Sequence, residues 1–132
     1  MPNRVGHFEI HADEPERAVK FYSEVFGWKI TKWEGGQMEY WMVENGGRNE
    51  AGGINGGIVR RPCPAPVASQ GLNAFCCTIV VDDFDELMAK AVENGATVAM
   101  PKFALTGMAW QGYFIDTEGN TVGLHQADVN AK

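Results

Sequence analysis

Residues 5–28 read VGHFEIHADEPERAVKFYSEVFGW, and the order of residue types in that stretch predicts a strand running directly into an amphipathic helix. From Val5 to His11 the residues alternate, with Phe8 and Ile10 on one side and His7, Glu9 and His11 on the other. That is the two-residue period of a half-buried strand, greasy on one face and polar on the other. Asp13 then stands where a helix N-cap is expected, with Glu16 three residues on to complete a capping box and Pro15 tolerated in the first turn. Ala18, Phe21, Tyr22 and Val25 follow at i, i+3, i+4 and i+7, one apolar stripe along a helix, and Gly27 is the expected stop.

Working outward, residues 28–34 alternate as a strand, Gly35 and Gly36 turn the chain, and residues 38–43 are aromatic and branched enough for the next strand. Residues 44–53 are rich in turn formers, and residues 54–61 form a short, glycine-weakened strand with Ile54 and Ile58 on one face. Residues 62–71 carry three prolines among small residues, the composition of an extended linker. Beyond it the plan repeats. Residues 73–82 predict a strand, and Asp83 with Glu86 a second capping box. Phe84, Leu87, Met88 and Ala91 make a second stripe, and Gly95 a second stop. Residues 96–102 predict a strand ending near Pro101, residues 103–109 a loop, and residues 110–116 a further strand. A turn at 117–120 and a last strand at 121–126 complete the order. Local detail recurs too: MEYWMV at 38–43 matches QGYFID at 111–116, and GGIV at 56–59 matches VGLH at 122–125. Two copies of a strand, helix and three strands make an internal repeat, and with only two copies the repeat is architectural and not a solenoid.

Size and charge bound what such a chain can do. At 132 residues with 45% hydrophobic content and 16 glycines it suits one sheet-rich domain with many tight turns, large enough to bury a core without staples. The formal charge of −6, with Arg60-Arg61 the sole adjacent basic pair, argues against a nucleic-acid partner, which would need clustered Lys and Arg. Cys76 and Cys77 are adjacent and Cys63 sits in the proline-rich stretch, so the three cysteines suggest reduced thiols and a cytoplasmic protein. No apolar run approaches a membrane span and the start carries no visible secretion signal, which leaves no membrane partner.

The residues HFEIHADEPERAVKFYSEVFGW, INGGI, VVDDFDELMAKAVENGATV and YFIDTEGNTVGLHQ resemble the vicinal oxygen chelate superfamily, which includes glyoxalase I, bleomycin resistance proteins and extradiol dioxygenases. The resemblance covers nearly the whole chain, and Thr117 departs from it where the family's last turn usually has proline. It implies an α+β fold: two βαβββ modules whose curled mixed sheets surround a central cavity, with helices outside, and pairing into a homodimer. Module one would span residues 4–61, the linker 62–71 and module two 72–128 of a single glyoxalase-like domain.

Metal-dependent relatives take one ligand from the first strand and one from the last strand of each module. Those positions match His7 and Gly57 in module one, and Cys76 and Gly123 in module two. Both carboxylates are absent. A catalytic metal centre keeps at least three protein ligands, so the expectation is no cofactor, with His7 and Cys76 the ligands if a divalent ion is held at all. A relocated site built on His7, Glu9 and His11 is limited by the strand, since three such residues span roughly 13 Å and cannot converge on one ion.

Two functional readings follow. One is a protein that binds a small molecule in its cavity without chemistry, in the manner the bleomycin resistance proteins suggest. The other is a glyoxalase-like lyase or isomerase in which Glu9 or His7 moves a proton, since a carboxylate facing a cavity is the natural proton carrier if its environment raises its pKa. His11, Trp41, Gly57, Cys76, Trp110, Gly123 and His125 are the candidate ligand-binding residues: polar groups and glycines on cavity-facing strands, with two tryptophans as aromatic walls. A scaffold retained only for association is a third possibility, which a cavity filled by its own side chains would favour.

Overall fold

The computed structural model describes residues 7–35, 39–45, 53–67 and 76–132. Two compact units meet between Pro64 and Ala65, inside the proline-rich stretch. Each is a strand, a helix and three strands, so the chain is an α+β protein built from two βαβββ modules.

Module one runs β1 (Phe8–Ala12), α1 (Pro15–Phe26), β2 (Lys29–Lys32), β3 (Trp41–Glu44) and β4 (Gly56–Arg60). Its sheet order is β1-β4-β3-β2, with β1 parallel to β4 and the other pairs antiparallel. The helical stripe is buried as expected: Ala18, Phe21, Tyr22 and Val25 all face inward. Trp28 stacks on Tyr22 with ring centres 5.2 Å apart and meets Phe8 at 5.7 Å, which places the helix on the Phe8 side of the sheet. Register carries that side across all four strands, because Ile10 pairs with Ile58, Ile58 with Trp41, and Val43 with Ile30.

The start of α1 corrects the sequence reading. The N-cap is Glu14, its side chain makes no capping hydrogen bond, and Pro15 opens the helix. Asp13 is spent elsewhere: its carboxylate lies 3.3 Å from the guanidinium of Arg61, whose side chain is almost fully buried. That guanidinium also donates to the His11 carbonyl at 2.9 Å. A proline at the first helical position needs no capping acceptor of its own, and a buried cation does need a partner, which explains where Asp13 goes. At the other end Gly27 adopts φ 70, and its N–H closes on the Ser23 carbonyl, as predicted.

Module two runs β5 (Cys77–Val80), α2 (Phe84–Glu93), β6 (Thr97–Leu105), β7 (Ala109–Ile115) and β8 (Thr121–Ala127), in sheet order β5-β8-β7-β6. Here the predicted cap holds, since the Asp83 carboxylate accepts from the Glu86 N–H at 3.0 Å. A second correction concerns β6. It does not stop near Pro101 but continues to Leu105, absorbing the proline through register shifts between Val98, Met100 and Phe103, so most of the predicted 103–109 loop is strand. Pro101 is tolerated because β6 is an edge strand, where a missing N–H breaks no ladder. Phe84 lies against Gly112, so α2 covers the face that carries Gly112, Phe114, Val122 and Leu124.

The predicted turn at 117–120 is held by one carboxylate. Asp116 Oδ1 accepts from the backbone N–H of both Glu118 and Asn120 at 2.8 Å, and Gly119 supplies a left-handed residue at φ 83. Those bonds set the turn without the proline that Thr117 replaces. The predicted strands at 28–34, 38–43, 54–61 and 110–116 exist as Lys29–Lys32, Trp41–Glu44, Gly56–Arg60 and Ala109–Ile115. Met38 and residues 73–75 lie outside the described residues.

Candidate functional site

Each module has a face that its helix leaves uncovered, and the alternation of β1 and β5 decides which residues reach it. In module one that face carries Glu9, Gly57 and Met42, which are paired across β1, β4 and β3. Glu9 and His11 are partners there, Oε1 to Nε2 at 3.5 Å, both about half exposed. His7 and Tyr40 are joined more tightly, with Nε2 and the phenol oxygen 2.7 Å apart and the rings near parallel. The phenol stays protonated. Partial burial, helped by the charge of Glu9, pushes its pKa above the ordinary tyrosine value.

Tyr40 lies directly over Gly57. A Cβ built at Gly57 would stand 2.1 Å from the phenol oxygen and from the ring carbon that bears it. A side chain at position 57 and the present seat of Tyr40 are therefore mutually exclusive.

Module two repeats the arrangement with different residues. Gly123 pairs with Thr78 on one side and Tyr113 on the other, and a Cβ there would meet Thr78 Oγ1 at 2.5 Å, Gln111 Nε2 at 3.1 Å and the Tyr113 ring at 3.1 Å. His125 shares this face, its Nδ1 bonded to Gln111 Oε1 at 2.8 Å. The Cys76 thiol points at the Thr121 carbonyl from 3.4 Å. Withdrawal from water, and next the neighbouring Cys77, push the Cys76 pKa up, against a smaller opposing effect from the Gly123 backbone. The thiol is thus poorly suited to act as a nucleophile, which requires the thiolate.

The two tryptophans offered as cavity walls lie on the opposite faces. Trp41 shares the α1-covered face with Ile58, is 5% exposed, and carries the Lys32 ammonium over its ring at 5.3 Å. Trp110 shares the α2 face with Leu124 and Phe84, bonds Asp128 through Nε1 at 3.0 Å, and lies under Lys102 at 4.6 Å. The aromatic residues on the uncovered faces are Tyr40 and Tyr113. Neither was singled out from the sequence, although MEYWMV and QGYFID place them at matching positions.

A glyoxalase/bleomycin resistance protein/dioxygenase superfamily model matches residues 4–124 of this sequence. The chain belongs to that superfamily. Its curated relatives include "Putative glyoxylase CFP32" of Mycobacterium bovis and the same-named protein of Mycobacterium tuberculosis, each 30% identical over 122 residues. Those residues are 91% of the chain and 44% of each relative, so the chain spans less than half the length of the curated relatives it matches. Among solved structures, a glyoxylase/bleomycin resistance protein/dioxygenase domain from Frankia sp. EAN1pec superposes with TM-score 0.72 at 14% identity, covering 97% of this chain and 94% of that one. TioX from Micromonospora sp. ML1 superposes with TM-score 0.62 at 20% identity, covering 94% and 98%. At those identities the structural likeness establishes the shared fold alone.

The resemblance matches the superfamily's four ligand positions to His7, Gly57, Cys76 and Gly123. Gly57 and Gly123 have no side chain, a hydroxyl group lies close to where a Cβ at either would stand, and His7 Nε2 is engaged by a phenol. Among the described residues no three His, Cys, Asp or Glu side chains come together as a metal-ligating group. The same residues also contain no helix long and apolar enough to cross a membrane.

Proposed function

We propose that this superfamily member is a small-molecule-binding protein that works without the family's metal, as one cytoplasmic domain over residues 1–132 pairing into a homodimer. One observation carries the reading. The glycines at the two carboxylate positions are covered by hydroxyl groups, Tyr40 Oη over Gly57 and Thr78 Oγ1 beside Gly123. Both modules have thus replaced an anionic metal ligand with a neutral hydrogen-bonding group, a change suited to holding a ligand directly. His7, Glu9 and His11 in module one, and Cys76 and His125 with Gly123 in module two, supply the remaining polar contacts; Trp41 and Trp110 act as scaffold beneath them.

A lyase or isomerase reading is favoured by a separate observation, the pairing of His7 with Tyr40 at 2.7 Å and of Glu9 with His11 at 3.5 Å. Either pair can hold and pass a proton on the uncovered face. In that reading Glu9 or His7 moves the proton, with no metal in the step.

Metal analysis and a thermal-shift screen of small metabolites test both. The expected result is less than 0.1 equivalent of Ni, Zn, Mn or Fe, with stabilisation by at least one metabolite, because a ligand that binds only the folded state raises its stability by mass action (about 2.7 kcal/mol at a hundred times Kd). Stoichiometric metal would sink the metal-free reading. For any substrate found, unchanged turnover of Glu9→Gln and His7→Gln would remove both residues from the chemistry and with them the enzyme reading as framed here.

A further inference from the structure

Among the described residues of module one, each arginine is already paired with a carboxylate. Arg17 is paired with Glu14 at 3.2 Å, Arg60 with Glu39 at 2.9 Å and Arg61 with Asp13 at 3.3 Å. Glu9 adds a carboxylate to the face itself, in a chain of formal charge −6. From the described residues, an anionic ligand would meet like charge there. What the face does offer is a phenol whose oxygen sits in the space that the family's carboxylate side chain would need, half-buried, fixed on one side by His7 and on the other by the flat backbone of Gly57.

A phenol has one proton to donate and two lone pairs, and the histidine uses one of these sites. When Nε2 carries the ring proton it donates to Oη, and the phenol O–H is left to point outward. When Nε2 is bare the phenol donates to it, and the lone pairs face outward. Either way two hydrogen-bonding sites remain, and their direction is set because the ring cannot rotate away without leaving Gly57. A fixed polar group on an otherwise crowded surface is how a site selects the orientation of a small ligand.

Resting on the small-molecule reading above, we infer that Tyr40 is the specificity-determining residue of module one: with His7 Nε2 donating to its oxygen, the phenol O–H points outward and donates to the oxygen of an uncharged carbonyl or hydroxy-ketone ligand in place of a metal. His7 is its positioning residue, holding the phenol from behind. Glu9, with His11, accepts from a ligand hydroxyl next to that oxygen and disfavours carboxylates.

Ligand-observed NMR titration of the full chain with dihydroxyacetone and acetoin, against pyruvate and glycolate, tests this directly. The uncharged pair should bind the wild type more tightly than the two anions. Tyr40→Phe keeps the ring over Gly57 but removes the oxygen, and should weaken binding of the uncharged pair about fivefold or more, the worth of one net hydrogen bond. Its urea midpoint should fall only by the loss of the His7 hydrogen bond while the unfolding transition stays cooperative, which separates lost recognition from lost structure. Equal binding by Tyr40→Phe overturns the assignment of Tyr40. Tighter binding of the anions overturns the ligand class, and so does tighter binding of the uncharged pair when Zn2+ is added. If none of the four binds the wild type, this inference fails, and the broader metabolite screen still decides small-molecule binding on its own.

Discussion

Substituting Gly57 by alanine places a single methyl group where Tyr40 now lies, and the structure sets both the size and the origin of the effect. The added Cβ would stand 2.1 Å from the phenol oxygen, far inside van der Waals contact, so the ring must swing off the sheet. That motion breaks the 2.7 Å bond to His7, worth about 1 kcal/mol net, and exposes part of a half-buried ring for roughly another 1 kcal/mol. Against this, alanine is favoured over glycine inside a strand by about 0.5–1 kcal/mol, leaving a net loss of ~1–1.5 kcal/mol. In a Tyr40→Ala background the three nearest atoms to the new methyl are gone, and the strand preference should make the substitution neutral or stabilising by about 0.5 kcal/mol. The coupling in the double-mutant cycle is therefore ~1–2 kcal/mol, measurable by urea unfolding of the four proteins. Additive effects, with coupling below about 0.5 kcal/mol, would refute the claim that Tyr40 fills the vacated position. Gly112→Ala is the internal yardstick: its Cβ would meet the fully buried Phe84 at 2.5 Å and the Met100 carbonyl at 3.1 Å, neither free to leave, so it should cost more than Gly57→Ala.

Three further outcomes are expected. Asp83→Ala should cost about 1 kcal/mol in thermal or urea unfolding by removing the cap on α2, whereas Glu14→Ala, at an N-cap without a side-chain cap, should stay within about 0.5 kcal/mol. The Cys76 thiol, its pKa raised chiefly by desolvation, should react with iodoacetamide at neutral pH more slowly than glutathione; mass spectrometry of the Cys76 peptide reads this, and faster labelling would contradict the environment described. The folded pKa of Tyr40 lies above its unfolded value, so its stabilising contribution is complete below about pH 10 and is lost as pH rises through the folded value. Tyr40→Phe should flatten that alkaline limb of the stability curve, and an unchanged limb would place its origin elsewhere.

The repeat, the two helices, the stripe of α1 and the cap of α2 were legible because each depends on residues close in sequence. Asp13 was misread for a reason local pattern cannot supply: its partner is Arg61, forty-eight positions away, brought alongside by the parallel pairing of β1 with β4. Pro101 was read as a stop because a proline's cost depends on whether its strand is at an edge, and sheet order is a property of the whole module. On the site, alternation groups His7, Glu9 and His11, and the structure brings Glu9 and His11 within 3.5 Å of each other. What could not be seen was what lies close to Gly57 and Gly123. Trp41 drew attention as the larger ring, yet one-residue parity sends Trp41 under α1 and its neighbour Tyr40 onto the open face. The repeat contained the needed clue, since Trp41 aligns with the buried Phe114 and Tyr40 with Tyr113.

That same parity divides the tryptophans by what their fluorescence can report. Trp28, Trp41 and Trp110 all sit on helix-covered faces, in surroundings that change only when a module's packing is lost. Trp33 is different: it is 45% exposed, and its backbone N–H bonds the Tyr40 carbonyl just past the end of β2. Emission from the three shielded indoles therefore follows unfolding, while the water-exposed indole of Trp33 provides a built-in optical probe next to the polar face, isolable by comparison with Trp33→Phe.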